Sequence, residues 1–388
     1  MNIERLNELK SKSPLTLDEC NELINEDGDL VIDKASTVTR LPDGLNVVGD
    51  LIISCCQSML KLPNNLTVGG SLNIAYTNIT ELPADLIVGG DIFATCCPIT
   101  RIEPSISVGG DIILSRTKLT ELPDNFIVNG SLGISHTPIS KLPKGLVVKG
   151  WFDASNCRML CELPDDIIVG RAIYIERTPI SKFPDHITHV HGDLYIHGTK
   201  ISSLPENIHI DGDFLACNSS LERLPNGLYV GGDINISDTT ICSIPDNIRH
   251  VYGDLDIDNT RISELPSGLV VDGSLHIAHS AVSEIPDDIV IGRSLVLCDT
   301  NISVLPDNLV IPEDLNIENT KIRTLPNGLV VGGDILSGGH TRLEISPQST
   351  FKVGYSIVRR SDLNRCDTER HKLPDHQSLR DGDYVEGK

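Results

Sequence analysis

The amino-acid sequence predicts a repeat solenoid built mainly of short β-strands. Proline recurs sixteen times at steps of 19–21 residues, and a pattern close to LPxxLxVxGDLxIxxTxIxx surrounds each one. Repetition at this period is typical of solenoids, because a single copy cannot bury its own apolar face. The repeated prolines are Pro42, Pro63, Pro83, Pro104, Pro123, Pro143, Pro164, Pro184, Pro205, Pro225, Pro245, Pro266, Pro286, Pro306, Pro326 and Pro347.

Each copy, called a rung below, carries the pattern of a strand with one buried face. Every second position is apolar or glycine, as in the row Leu66, Val68, Gly70, Leu72 and Ile74, which is the side-chain period of a β-strand. Such a short copy has no room for a strand, a helix and two loops. The remainder is therefore predicted to form turns, extended chain and short 3₁₀ pieces, since Leu-Pro followed by Asp-Asn, Asp-Gly or Asn-Gly favours turns.

A column of small polar residues lies five positions after the first strand leucine. Nine are Thr, three are Cys and two are Ser. Buried turn amides and carbonyls need partners, and a column of hydroxyl groups supplies them. The column is Ala35, Cys56, Thr77, Cys97, Thr117, Thr137, Cys157, Thr178, Thr199, Ser219, Thr239, Thr260, Ser280, Thr300, Thr320 and His340.

These residues resemble a known repeat family. The string LxIxxTxIxxLPxxL is similar to the leucine-rich-repeat consensus LxxLxLxxN/CxLxxLP, with Thr replacing most of the usual Asn. The short rung and the Leu-Pro step most resemble the bacterial class found in effectors that pathogens inject into host cells, and similar arrays occur in phage-encoded proteins. The resemblance implies a parallel β-solenoid whose strand face binds other proteins. Gly often stands where the consensus begins with Leu, so a flatter β-helix is the alternative.

The two ends differ from the array. Residues 1–27 are polar, and Ser13-Pro14 or Thr16 is predicted to open a short helix that caps the first rung. The array occupies residues 28–354. Residues 355–388 are rich in mixed charge and are predicted to form a closing cap and a polar tail.

Composition excludes several classes of protein. Thirty-two basic against 54 acidic residues give a net charge of −22, which argues against direct binding to nucleic acid or anionic lipid. No run of 18 apolar residues and no secretory h-region is present. The 11 cysteines are placed irregularly, with vicinal pairs such as Cys55-Cys56. Buried structural thiols and a cytoplasmic location are therefore predicted, with export into a host cell by a route that needs no signal peptide as the alternative.

Aspartate precedes the first strand leucine in ten rungs. One interpretation is an acidic ribbon that steers a basic partner, longest along Asp193, Asp213, Asp233 and Asp254. The favoured interpretation is a backbone acceptor, because four rungs use Ser at this position. The aspartates are Asp29, Asp50, Asp91, Asp111, Asp193, Asp213, Asp233, Asp254, Asp314 and Asp334, and the serines are Ser71, Ser131, Ser274 and Ser294.

Aromatic residues cluster where this column is interrupted. Trp151, the one tryptophan, replaces the expected Asp and is predicted to be exposed. Neighbouring outward positions add acids and further rings, which together resemble a protein-binding hot spot. The alternative is that Trp151 folds over the insertion in its own rung. The predicted partner-binding residues are Trp151, Asp153, Tyr174, Glu176, Tyr195 and His197, with Asp193, Asp213, Asp233 and Asp254 of the acidic ribbon.

Histidines are dense in the segment HITHVHGDLYIH, which covers residues 186–197. A metal site or a pH-sensitive contact is one interpretation. Independent, solvated histidines are favoured, because Gly192 is expected to bend the chain between them. No metal and no cofactor is therefore predicted.

The sequence carries no recognisable catalytic constellation. Gly-Gly-Asp is a repeat element without the Lys of a phosphate loop. Cys366 lies in the short segment after the array, which is too short for the ubiquitin-ligase domain of some injected effectors. The predicted function is a non-enzymatic scaffold that recognises a protein of basic or mixed surface through its strand face. The alternatives are an acidic inhibitor or mimic directed at a nucleic-acid-handling or defence enzyme, and an enzyme whose site lies in the terminal segments.

Overall fold

The computed structural model describes residue 9 and residues 12–32, 38–341, 343–344 and 350–360. These residues fall into two compact units, one ending at Ile180 and one beginning at Ser181. They are called the N-terminal and C-terminal units, and each is described by itself. Ala35, Cys366 and the rest of the predicted tail beyond residue 360 lie outside the described residues.

One short helix, α1 (Leu17–Leu23), lies in the segment predicted to cap the array. The Thr16 hydroxyl accepts a hydrogen bond from the Glu19 amide, and the Glu19 carboxylate accepts one from the Thr16 amide. This capping box satisfies two amides that the first turn of a helix leaves without partners. The predicted N-terminal helix is confirmed. No helix in the described part of the chain is long and apolar enough to cross a lipid bilayer.

The N-terminal unit consists of two-residue strands that pair in parallel from rung to rung. One strand per rung forms its main sheet, and a second strand per rung forms its side sheets. The main sheet holds β1 (Leu30–Val31), β3 (Leu51–Ile52), β5 (Leu72–Asn73), β7 (Ile92–Phe93), β9 (Ile112–Ile113), β11 (Leu132–Gly133), β13 (Phe152–Asp153) and β15 (Ile173–Tyr174). The side sheets hold β2 (Asn46–Val47), β4 (Thr67–Val68), β6 (Ile87–Val88) and β8 (Ser107–Val108), then β10 (Ile127–Val128), β12 (Val147–Val148) and β14 (Ile168–Val169).

The C-terminal unit repeats the same arrangement. Its main sheet holds β17 (Leu194–Tyr195), β19 (Phe214–Leu215), β21 (Ile234–Asn235), β23 (Leu255–Asp256), β25 (Leu275–His276), β27 (Leu295–Val296), β29 (Leu315–Asn316), β31 (Ile335–Gly338) and β33 (Ile357–Arg360). Its side sheets hold β16 (His189–Val190), β18 (His209–Ile210) and β20 (Tyr229–Val230), then β22 (His250–Val251), β24 (Val270–Val271) and β26 (Val290–Ile291), then β28 (Val310–Ile311), β30 (Val330–Val331) and β32 (Lys352–Val353). Strand pairing thus continues beyond residue 354, where the sequence pattern ends.

The aliphatic rows form the interior of each unit. Leu51 pairs with Leu72, and Leu72 pairs with Ile92, so equivalent residues of successive rungs lie above one another. Leu72 and Ile74 are fully buried, as are most of their equivalents. The register therefore places every apolar row against the next one, and the predicted stacking of parallel strands is confirmed.

The turns contain two positions in the left-handed region. Asn65 (φ 52°) and Asn125 (φ 56°) occupy the one that follows Leu-Pro, as the turn residues predict. The second precedes the hydroxyl column and holds residues as varied as Tyr76 (φ 59°) and Arg116 (φ 60°), which composition does not reveal. Within the described residues the connections are single turns, such as the 3.1 Å bond from the Leu86 amide to the Pro83 carbonyl, rather than the predicted 3₁₀ pieces.

The side chains of the hydroxyl column donate hydrogen bonds to carbonyl groups just after the main-sheet strands. The Thr117 hydroxyl donates to the Leu114 carbonyl at 2.7 Å, and the Thr199 hydroxyl donates to the Ile196 carbonyl at 2.7 Å. The Cys157 thiol donates instead to the Ile134 carbonyl of the preceding rung, at 3.1 Å. The prediction that this column satisfies buried carbonyls is confirmed.

Cys157 and Cys161, four residues apart, are expected to differ in their rates of alkylation. Burial raises the pKa of the Cys157 thiol to about 11, whereas Cys161 is exposed. Because the thiolate is the nucleophile, Cys157 in the native chain should react with iodoacetamide at least about tenfold more slowly than Cys161. Mass spectrometry of peptides from a labelling time course measures both rates. Equal rates in native protein, with equal rates again in urea, would contradict a closed interior at this column.

Candidate functional site

The aspartate column is built into the backbone of each unit. In the C-terminal unit, Oδ1 of each aspartate accepts a hydrogen bond from the amide of the equivalent residue in the next rung. Four of these bonds run from Asp213 to Asp193 (3.0 Å), from Asp233 to Asp213 (2.8 Å), from Asp254 to Asp233 (2.7 Å) and from Ser274 to Asp254 (2.6 Å). The serines act in the same way, as when Ser131 Oγ accepts from the Trp151 amide at 3.3 Å. The favoured interpretation of this column as a set of backbone acceptors is confirmed.

The aspartate column also accounts for the glycine that usually stands before each aspartate. A Cβ on Gly232 would overlap Oδ1 of Asp213, and a Cβ on Gly253 would overlap Oδ1 of Asp233. Arg293 and Glu313 occupy the equivalent position in the rungs that follow Ser274 and Ser294, so a side chain is accommodated opposite these two serines. The glycine of one rung thus packs directly against the aspartate of the preceding rung.

The predicted hot-spot residues of the N-terminal unit are only partly accessible. Trp151 is half-buried, and its ring lies over Gly133 of the preceding rung, within 3.4 Å of where a Cβ would stand. Tyr174 is also half-buried. Asp153 and Glu176 are only 2% and 4% exposed, so the expectation that they are exposed is wrong. The physical reason for Asp153 is a turn, because its Oδ1 accepts the Ser155 amide at 2.8 Å.

The hot-spot residues predicted in the C-terminal unit lie on the main sheet and just after it. Tyr195 is 4% exposed and pairs with Leu215, which is equally buried. His197 is half-buried. The expectation of an exposed Tyr195 is therefore wrong, because its in-register neighbour Leu215 packs beside it. The aspartates of the acidic ribbon, Asp193, Asp213, Asp233 and Asp254, are half-buried.

An exposed cluster of rings lies on the side sheets of the C-terminal unit. His189, His209 and Tyr229 occupy the same position of β16, β18 and β20, and the pairing of these strands places them in adjacent rungs. Residues two positions later lie beside them, as the contacts of His191 with His189, of Asp211 with His209 and of Tyr252 with His250 show. The cluster is named the histidine–tyrosine patch, and it comprises His189, His191, His209, Asp211, Tyr229, His250, Tyr252 and Asp272.

The rings of the patch contact one another in sequence. The His189 ring centroid lies 3.8 Å from that of His191 and 4.6 Å from that of His209. His209 stacks on Tyr229 at 4.2 Å, and His250 stacks on Tyr252 at 4.2 Å. The ring centroids of Tyr229 and Tyr252 lie 5.7 Å apart, and this contact joins the rings around His209 to the pair of His250 and Tyr252. These contacts hold a row of rings in place while leaving them open, with Tyr229 and Tyr252 40% and 46% exposed.

The patch contains a pocket. The side sheet is interrupted between β20 and β22, and a pocket of about 210 Å³ lies there. Its lining residues include Leu228, Tyr229, Asn247, Arg249, His250 and Tyr252.

The two aspartates of the patch bind its histidines. Asp211 contacts three of them, with Oδ1 2.9 Å from His189 Nε2 and 3.0 Å from His209 Nε2, and Oδ2 3.3 Å from His191 Nδ1. The hydrogen bond from His189 is the main cause that lowers the pKa of the Asp211 carboxyl. Partial desolvation, with Tyr252 and Asp211 nearby, raises the pKa of the Tyr229 phenol. The arrangement presents imidazole nitrogens and a carboxylate at one point of an open aromatic surface.

Sequence reasoning did not assemble this patch. It favoured independent, solvated histidines separated by a bend at Gly192. The chain does bend at residues 191–192, so that His197 lies apart, but the expected independence is wrong, because the His189 ring contacts those of His191 and His209. His209 comes from the next rung. A signal is present in the sequence: the position before the side-sheet valine or isoleucine is His, His, Tyr and His in four successive rungs. Aligning the rungs by this position would have found them.

Short parallel strands, turns of about 20 residues and a buried aliphatic row in every rung define a leucine-rich-repeat-like parallel β-solenoid of about 16 turns. The chain is similar to the LRR protein LIC12759 of Leptospira interrogans, with a TM-score of 0.53 and 14% sequence identity over 87% of this chain and 96% of that one. It also matches YopM, a leucine-rich effector protein from Yersinia pestis, with a TM-score of 0.49 and 15% identity over 92% of this chain and 99% of that one. No protein-family model matches the sequence, and no curated protein matches it.

Proposed function

We propose that this chain is a non-enzymatic scaffold that binds another protein through the histidine–tyrosine patch. The observation that carries the proposal is the row of six contacting, solvent-open rings on and beside the side-sheet strands. Aromatic side chains dominate the binding energy of protein interfaces. Because these rings already hold one another in place, binding costs them little conformational entropy.

The size of the pocket favours a protein over a small ligand. At about 210 Å³ it is smaller than the roughly 300–1,000 Å³ that small-molecule sites usually occupy. A protruding side chain of a partner fits such a pocket better than a whole metabolite does. The net charge of −22 favours a partner of basic or mixed surface through long-range attraction.

The other predicted contact residues keep a secondary role in this proposal. Trp151 and Tyr174 are half-open side chains of the N-terminal unit and stay candidates for a separate contact. Cytoplasmic localisation and delivery to a host cell remain predictions from the sequence, and no catalytic step is proposed.

The test compares two matched double variants in an affinity capture. Tyr229→Ala with Tyr252→Ala removes both tyrosines of the patch, and Val290→Ala with Val310→Ala removes two exposed residues of other side-sheet strands. Full-length chains are immobilised, exposed to lysate, and the captured proteins are quantified by mass spectrometry. Proteins that wild type enriches should fall at least about tenfold with the tyrosine variant, because interface hot spots cost about 2 kcal/mol or more each, and should persist with the valine variant.

Two outcomes would redirect the proposal. Capture that survives the loss of both tyrosines contradicts the patch as the docking surface. Loss of capture on Trp151→Ala with Tyr174→Ala, and not with the tyrosine variant, moves the contact to the N-terminal unit.

The second candidate function is acidic inhibition or mimicry of a nucleic-acid-handling enzyme. The observation behind it is the unbroken row of carboxylates on four successive rungs, Asp193, Asp213, Asp233 and Asp254. Asparagine at these four positions keeps Oδ1 as the backbone acceptor and removes the charge. Capture that weakens with salt and is lost in the four-asparagine variant would support this candidate over the patch.

A further inference from the structure

One corner of the histidine–tyrosine patch gathers metal-ligating atoms from two adjacent rungs. Candidate ligand atoms of His189, His209 and Asp211 all lie within 4.8 Å of one another. His191 adds a fourth donor, with Nδ1 3.3 Å from Asp211 Oδ2. Among the described residues, His189, His209 and Asp211 form the one group of three or more such side chains brought this close.

The backbone explains why these four side chains converge. His189 and His191 lie two positions apart on one rung, and His209 and Asp211 lie two positions apart on the next. The second member of each pair stands at the bend that follows the strand, and it lies beside the first, with 3.8 Å between the ring centroids of His189 and His191 and 3.0 Å between His209 Nε2 and Asp211 Oδ1. The two rungs are held in register, since the His209 amide donates to the Thr188 carbonyl at 2.9 Å and the Asp211 amide donates to the Val190 carbonyl at 3.0 Å. The donor set therefore stands on two paired strands and on the bends that directly follow them.

The separations fit a coordination sphere. Metal bonds of about 2.0–2.1 Å in tetrahedral geometry place neighbouring ligand atoms about 3.3 Å apart. Asp211 Oδ1 lies 2.9 and 3.0 Å from the Nε2 atoms of His189 and His209, so small side-chain rotations admit an ion between these three groups. His191 Nδ1 lies 3.3 Å from the second carboxylate oxygen, Oδ2, and would have to turn toward the ion to become a fourth ligand. The four side chains are 42–55% exposed, and an ion reaches them directly from solvent.

The chemistry of the donors selects the class of ion. Imidazole nitrogen with one carboxylate suits zinc and the neighbouring transition metals, whereas calcium and magnesium prefer all-oxygen sites. We propose that His189, His209 and Asp211, with His191 as a fourth ligand, bind a divalent transition-metal ion, and that zinc is the expected occupant. This inference does not depend on the protein-binding proposal, because its test needs no partner.

The same patch contains a natural control. His250 Nε2 lies 2.9 Å from Asp272 Oδ2, the same type of pair as that between His189 and Asp211. Its exposure, 43% for the histidine side chain and 49% for the aspartate, is also similar. It lacks the second and third histidines, so it should form an ion pair and bind no metal tightly.

The test is a calorimetric titration of the full chain with zinc chloride. The protein is first treated with EDTA, and its exposed thiols are alkylated so that they do not take up zinc. Wild type should bind one equivalent. The variant His189→Ala with His209→Ala should bind at least about 10–100-fold more weakly, since even outer-shell changes at metal sites cost that much. His250→Ala should bind as wild type does.

Two further readouts keep the inference falsifiable. Asp211→Asn preserves the shape of the side chain, removes its charge and should also weaken zinc binding by at least about tenfold. Far-UV circular dichroism of each metal-free variant should match wild type, because all four residues are substantially exposed. The inference is overturned if wild type takes up no zinc, or if His189→Ala with His209→Ala binds zinc as His250→Ala does.

Discussion

Replacing Phe214 with alanine should destabilise the C-terminal unit by about 4 kcal/mol. Phe214 is the first residue of β19, is fully inaccessible to solvent and pairs with Leu194 on one side and Ile234 on the other. Truncation would leave a cavity the size of most of a phenyl ring. The rungs on both sides are pinned by strand hydrogen bonds, such as the 2.8 Å bond from the Phe214 amide to the Asp233 carbonyl, so the interior cannot collapse to fill it.

A matched variant separates the cavity from the simple loss of an aromatic ring. Most rungs carry Leu or Ile at this position, so Phe214→Leu should cost only about 1 kcal/mol. Urea denaturation followed by far-UV circular dichroism measures both variants, and hydrogen exchange at the amides of the neighbouring rungs localises the loss. A cost below about 1 kcal/mol for Phe214→Ala would show that this row is not the closed interior of the unit.

Gly232→Ala should destabilise the same unit by about 3 kcal/mol, although it adds only one methyl group to a residue with ordinary φ. The new Cβ would overlap Oδ1 of Asp213. The carboxylate would have to turn away and release the Asp233 amide, which it binds at 2.8 Å. The cost therefore combines steric strain with a backbone donor that loses its acceptor.

The chain supplies both the control and the compensating change. Arg293 stands at the equivalent position after Ser274, so Arg293→Ala should be nearly neutral. Adding Asp213→Ser to Gly232→Ala should recover about half of the lost stability, because a serine at this position, Ser274, accommodates the side chain of Arg293 in the next rung. Denaturation midpoints of the two single variants and the double variant form a cycle that isolates this coupling. Strictly additive costs would contradict a shared packing unit between the two rungs.

The interior and the backbone acceptors could be predicted from the sequence. The row containing Leu72 and Ile74 is visible because its period of two recurs in every rung, and averaging over rungs removes chance matches. The hydroxyl column and the aspartate column were found in the same way. Serine at some rungs, such as Ser131, showed that an acceptor was required there rather than a charge.

The candidate surface could not be predicted in the same way. Exposure of Tyr195 and Asp153 was expected because alternate residues leave the interior, yet in-register neighbours and a local turn bury them. The left-handed residues Tyr76 and Arg116 carry no compositional signal either. In both cases the deciding contacts come from atoms of adjacent rungs or from turn geometry, which a residue's own identity does not record.

The sequence by itself determined the class of fold, the rung length and the side chains that face inward. Each copy is too short to fold alone, so its periodic apolar row can be buried only by stacking against the rows of neighbouring copies. The tertiary structure alone decided that His189, His191, His209 and Asp211 meet at one point. These residues come from two different rungs, and their convergence depends on how the side-sheet strands are paired and where the chain bends between sheets. The candidate surface of this solenoid consists of residues that are about 20 positions apart in the sequence and become neighbours only when the rungs stack.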